Sequence, residues 1–139
     1  MSPTEGAGNI SFLIVEDNVV ILHILTSLLT TEGFKIAGIA SNGLDAVRLY
    51  QESQPDIVLM DIMLPKLDGL EATRQILELD PNAKIIVISS VAESDIVKKA
   101  IHLGAKDYIS KPVHTERLFR VIHTLMGKEA PAQENRPST

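Results

Sequence analysis

At 139 residues with 45% apolar content, the chain is long enough for one globular domain with a substantial core. A net charge of −5 argues against direct nucleic-acid binding, and the lack of cysteine excludes disulfides, thiolate metal sites and cysteine nucleophiles. No apolar run approaches the ~18 residues of a membrane span, and Met1 to Asn9 is not a signal peptide, so the sequence reads as cytoplasmic with no membrane partner.

Residues 1–9, with Pro3, Gly6 and Gly8, read as a disordered tail. Ile10 to Val15 predicts a first strand that runs into Glu16-Asp17-Asn18. Ile21, Leu22, Leu25, Leu28 and Leu29 then recur at helical spacing, with Asp17 or Asn18 as cap and Gly33 as stop. Phe34 to Ala40 predicts strand two, and Leu44, Val47 and Tyr50 mark a second helix that Pro55 ends. Ile57-Val58-Leu59-Met60, between Asp56 and Asp61, is a short continuous apolar run, the signature of a strand buried on both faces. Pro65 forbids further pairing, and Lys66-Leu67-Asp68-Gly69 makes a turn. Leu70, Thr73, Ile76 and Leu77 mark helix three, closed by Asp80-Pro81-Asn82. Lys84 to Ser89 is a second doubly buried strand. Ile96, Val97, Ala100 and Ile101 give helix four, with Ser94 as N-cap and Gly104 as stop. Tyr108-Ile109-Ser110 is a short fifth strand, and Leu118, Val121, Ile122 and Leu125 form the last helix. From Lys128 onward the chain is polar, a disordered tail or truncated linker.

Alternation of five strands with five helices predicts an α/β fold, a doubly wound five-stranded parallel sheet. Strand two, with Lys35, and the short strand five suit the edges. In such a sheet every strand's carboxyl end lies on one side, where ligands bind. Glu16 and Asp17 stand there after strand one, Asp61 after strand three, Ser89 and Ser90 after strand four, and Lys111 after strand five. Three crowded carboxylates either raise a pKa or hold a cation, and an all-oxygen set suits Mg²⁺. An ammonium and a hydroxyl suit phosphoryl oxygens, and a central Asp can act as a carboxylate nucleophile. His23, His102, His114 and His123 show no metal-ligand spacing and read as surface or partly buried residues.

Four stretches in this order resemble the receiver domain of bacterial two-component response regulators. They are Leu13 to Asn18, Asp56 to Pro65 with Asp68-Gly69, Ile86 to Ser89, and Gly104 to Pro112. The resemblance covers residues 10–127 and implies the flavodoxin-like strand order 2-1-3-4-5. It implies that Asp61 is the phosphoacceptor, and that Asp17, Asp61 and the Met63 backbone carbonyl bind Mg²⁺, with Glu16 acting through a metal-bound water. It further implies that Lys111 and Ser89 meet phosphoryl oxygens, that Tyr108 is an aromatic switch, and that the bond before Pro112 is cis. The phosphodonor would be a histidine kinase or phosphotransfer protein. An altered face of helix four, strand five and helix five would then meet an unknown output protein or detached output domain, or a second copy in a phosphorylation-dependent dimer. The chain would label and unlabel itself without turning over a separate metabolite. Met63 and Val91, which flank the line of water attack in receivers, cannot hold a water, so a long-lived phosphorylated state is expected.

Two other classes fit less well. A metal-dependent phosphatase with an Asp nucleophile usually carries a second acid two residues on, where this chain has Met63. A flavodoxin-type cofactor binder needs a Ser/Thr/Gly-rich phosphate loop after strand one, and this chain has Glu16-Asp17-Asn18.

Overall fold

The computed structural model describes residues 10–64, 66–90 and 95–127. Pro65, Val91, Ser94 and the expected tails at 1–9 and 128–139 lie outside the described residues. Five strands, β1 (Ser11–Val15), β2 (Lys35–Ala40), β3 (Ile57–Asp61), β4 (Ile85–Ser89) and β5 (Asp107–Ser110), form one parallel sheet in the order β2-β1-β3-β4-β5. Helices α1 (Val19–Thr31), α2 (Gly43–Ser53), α3 (Gly69–Leu79), α4 (Asp95–Leu103) and α5 (Thr115–Leu125) connect them and close the chain. The expected order and both edge strands are therefore present.

Alternation along the strands explains the two-layer core. Leu13, Val15, Val58, Met60, Ile85 and Val87 pack with Ala46 and Tyr50 of α2, Ala72 and Ile76 of α3 and Ala100 of α4. Phe12, Ile14, Ile57, Leu59, Ile86 and Ile88 pack on the other face with Leu25 and Leu29 of α1 and Leu118, Val121 and Ile122 of α5. Covering both faces is what turns β3 and β4 into unbroken apolar runs.

Local chemistry sets the helix ends. The Asn18 side chain accepts from the Val20 and Ile21 N–H groups, Asn42 from Asp45, and Asp68 from Glu71. Asn18 is thus the cap of α1, and Asp68 caps α3 where the sequence suggested only a turn. Gly33 follows α1 with φ +91° and Gly104 follows α4 with φ +127°, backbone that strains any other residue. Asp56 does not belong to β3. It flanks the strand, and its carboxylate accepts from the Ser11 N–H at 2.8 Å. Phe34 likewise precedes β2 and sits in the core, its ring 5.1 Å from that of Phe12.

Candidate functional site

Strand register delivers the site. Val15 pairs with Met60, so one step on, Glu16 comes level with Asp61. Asp61 pairs with Ile88, and Ser89 pairs with Ser110, which puts Lys111 just past the same rim. Glu16, Asp17 and Asp61 each offer a carboxylate oxygen within 4.8 Å of the others. Among the described residues this is the one group of three His, Cys, Asp or Glu side chains close enough to share a metal ion, and no histidine belongs to it.

The members differ in burial. Glu16 is 1% exposed and Asp61 4% exposed, whereas Asp17 faces solvent. The Lys111 Nζ lies 3.2 Å from both Glu16 Oε1 and Asp61 Oδ2. It donates a hydrogen bond to Asp61 Oδ2. Its contact with Glu16 is one of charge without hydrogen-bond alignment, and Glu16 Oε1 stays buried with no hydrogen-bond partner. Asp61 Oδ1 accepts from the Met63 N–H at 3.0 Å, and Glu16 Oε2 from the Asn18 N–H at 3.1 Å.

Burial pushes the Glu16 carboxyl above its ordinary range, and the Asp61 charge adds to it; the Asn18 N–H and Lys111 pull the other way without prevailing. Burial lowers the Lys111 pKa, but the Asp61 charge and the contacts with Glu16 outweigh it, so the ammonium is held above its ordinary value. One ammonium against three carboxylates leaves an excess of negative charge. That excess, with a buried oxygen that accepts no hydrogen bond and an all-oxygen donor set, fits a hard divalent cation.

Ser89 ends β4 at the same rim and is 1% exposed. The Lys111–Pro112 bond is cis, as expected. Tyr108 lies further back along β5. It pairs with Val87, two steps back from the rim, and is half-buried against the α2–α3–α4 side of the core. The link between Lys111 and Glu16 was not anticipated. It joins residues far apart in sequence, and no local pattern signals it.

A family model described as the response regulator receiver domain matches residues 12–123. The chain belongs to that family. It is 42% identical to the chemotaxis protein CheY of Thermotoga maritima over 111 residues, covering 80% of this chain and 92% of the relative. Among solved structures it resembles the CheX-CheY-BeF3-Mg²⁺ complex from Borrelia burgdorferi, at TM-score 0.81 and 35% identity, covering 84% of this chain and 89% of that one. It also resembles the receiver domain of a sensor histidine kinase from Pseudomonas aeruginosa with magnesium coordinated in the active site cleft, at TM-score 0.78 and 30% identity, covering 85% and 98% of the two chains. As a CheY-like receiver, the chain is a signalling module whose acidic pocket is consistent with a Mg²⁺-binding phosphoacceptor site. No helix among the described residues is long and apolar enough to cross a membrane.

Proposed function

We propose that residues 10–127 form a receiver domain that takes a phosphoryl group from a phosphohistidine protein onto Asp61 and signals by the change this causes. The observation that carries this reading is Asp61 itself. A nearly buried carboxylate ends the central strand, held by the Met63 N–H on one oxygen and by Lys111 on the other. Asp17, Asp61 and the Met63 carbonyl would hold Mg²⁺ directly, and Glu16 through water. The ion supplies charge neutralisation for the phosphoryl oxygens as the anionic carboxylate meets them.

In the forward step an Asp61 oxygen forms a bond to phosphorus, the bond from phosphorus to the donor imidazole breaks, and the imidazole leaves with the electron pair and takes up a proton. Lys111 is charged throughout and passes from the Asp61 carboxylate to a phosphoryl oxygen. Ser89 donates to another phosphoryl oxygen from the adjacent strand end, and Tyr108 packs differently once Ser89 has moved. In the hydrolytic step water attacks phosphorus, the bond from phosphorus to the Asp61 oxygen breaks, the carboxylate leaves with the electron pair, and inorganic phosphate departs with the water's oxygen, its proton passing to solvent. No separate metabolite is turned over.

A protein donor is favoured by the surroundings of the pocket. Val19, Val20 and Ile24 on α1 are 76, 64 and 47% exposed. Beside them an apolar cleft of about 350 Å³ is lined by Ile21, Ile24, Leu25, Lys111, Pro112 and Val113. Apolar surface next to the acceptor suits a helical partner that buries it. The output would be read on the face of α4, β5 and α5, in the cytoplasm. Incubation with a phosphohistidine phosphotransfer protein in Mg²⁺ tests the donor. Transfer that is lost in an α1 variant such as Ile24→Glu, while acetyl phosphate still labels it, is the expected result. Equal transfer in parent and variant would refute the docking face.

A further inference from the structure

We infer that Gly43, the first residue of α2, is a positioning residue for the phosphoacceptor loop, because its bare backbone is pressed against the Leu67 carbonyl and sets how closely that loop lies against α2. A Cβ built on Gly43 would stand 2.0 Å from the Leu67 O, 2.7 Å from its carbonyl carbon and 2.8 Å from its Cβ. Real Cβ atoms essentially never come within 3.0 Å, and the atoms in the way are mainly backbone, which no rotamer change moves aside. The start of α2 is capped from within. The nearly buried Asn42 accepts from the Asp45 N–H at 2.9 Å and donates to the Asp45 carboxylate at 3.1 Å.

The other end of the loop is held by a second contact of the same kind. A Cβ on Gly69 would stand 2.1 Å from the Asp61 O and 2.6 Å from the Ile62 Cα, and the Gly69 N–H donates to the Ile62 carbonyl at 3.1 Å. The segment that leaves Asp61 therefore comes back onto Asp61 at Gly69, with α2 closing it from outside at Leu67. A push on Leu67 from Gly43 meets at Gly69 backbone that already touches backbone, whereas the Met63 side chain is 62% exposed and unconfined. Met63 also supplies the N–H that holds Asp61 Oδ1. Gly43 thus touches neither metal nor phosphoryl group, yet sets the backbone that does. Supporting contacts around a metal site typically change affinity by about 10–100-fold when broken.

The inference rests on the Mg²⁺-binding reading above, and its test separates the two. Mg²⁺ is titrated into parent, Gly43→Ala and Gly38→Ala proteins and followed by backbone amide NMR. Gly38 in β2 is the control, since a Cβ there would meet only the Leu13 and Leu49 methyl groups at 3.4 Å or more. Gly43→Ala is expected to bind Mg²⁺ about tenfold more weakly and, before any metal is added, to shift the Met63 and Leu67 amides. Gly38→Ala is expected to keep parental affinity. Asn42→Ala, which removes the α2 cap beside Gly43 without adding an atom, is expected to weaken Mg²⁺ binding to a smaller extent, and decides the matter if Gly43→Ala does not fold. Parental affinity in a folded Gly43→Ala, or in Asn42→Ala where the first does not fold, would overturn the role of Gly43 and leave the Mg²⁺ site standing. A parent that binds no Mg²⁺ would overturn both.

Discussion

Replacing Lys111 with methionine removes the one cation between two buried carboxylates and keeps the stem. Its Nζ is 3.2 Å from an oxygen of each. At an effective dielectric of about 20 each contact is worth about 5 kcal/mol before desolvation, so the folded variant cannot keep both acids charged and unscreened within an ordinary stability margin. Protonation of one acid limits the loss. Glu16 is the candidate, being the more deeply buried and already shifted upward by burial. Protonating a carboxyl of ordinary pKa 4.5 costs about 1.36 kcal/mol per pH unit, hence about 3.4 kcal/mol at pH 7 and about 0.7 kcal/mol at pH 5. The sign follows from linkage: the folded variant keeps a proton that the unfolded chain releases near 4.5, so its stability relative to the parent is greatest below that pH and falls as pH rises toward the folded value. Urea unfolding of both proteins in EDTA, read by far-UV circular dichroism because the chain has no tryptophan, measures the difference. The variant should be weaker by about 3 kcal/mol at pH 7 and by less than about 1 kcal/mol at pH 5. An equal penalty at both pH values, or none at pH 7, would refute the reasoning.

Ser89→Ala should leave Asp61 open to labelling but blunt the response of α4 amides to beryllofluoride, and an undiminished NMR response would remove Ser89 from the switch. Met63→Asn should speed loss of the phosphoryl group by about tenfold, equivalent to about 1.4 kcal/mol of barrier, because an amide can orient water where a thioether cannot. A parent that decays within seconds, or a variant that decays no faster, would contradict the expected long lifetime. Asp61→Asn should raise the melting temperature of the metal-free protein, by about 1 kcal/mol of stability or less, since the repulsion it relieves is largely offset by Lys111. A lower melting temperature would count against the crowded pocket.

What the sequence disclosed was mostly local or periodic. β3 and β4 were legible because covering both faces leaves only apolar residues, and their ends were legible because Asp61 and Ser89 break those runs. Asn18 announced a helix start by its capping side chain, and Gly104 a helix end by the backbone freedom of glycine. Contacts between distant segments were not legible. Three acids on one rim suggested a raised pKa or a bound cation, with Lys111 on the same rim, and only the structure shows Lys111 seated between Glu16 and Asp61. Asp56 borders the β3 run, and composition cannot distinguish a residue ending a strand from one that fastens a neighbouring strand's first N–H. The contact of Gly43 with Leu67 depends on how α2 packs over the loop. Tyr108 carries a role drawn from resemblance, and its half-buried place two steps from the rim suits a relay better than a ligand.

The most direct test is intact-mass spectrometry of parent and Asp61→Asn proteins after incubation with acetyl phosphate, with Mg²⁺ and with EDTA. The expected result is addition of one phosphoryl group to the parent, dependent on Mg²⁺ and absent from Asp61→Asn. Equal labelling of Asp61→Asn, or steady hydrolysis of the donor without a labelled protein, would contradict Asp61 as the phosphoacceptor.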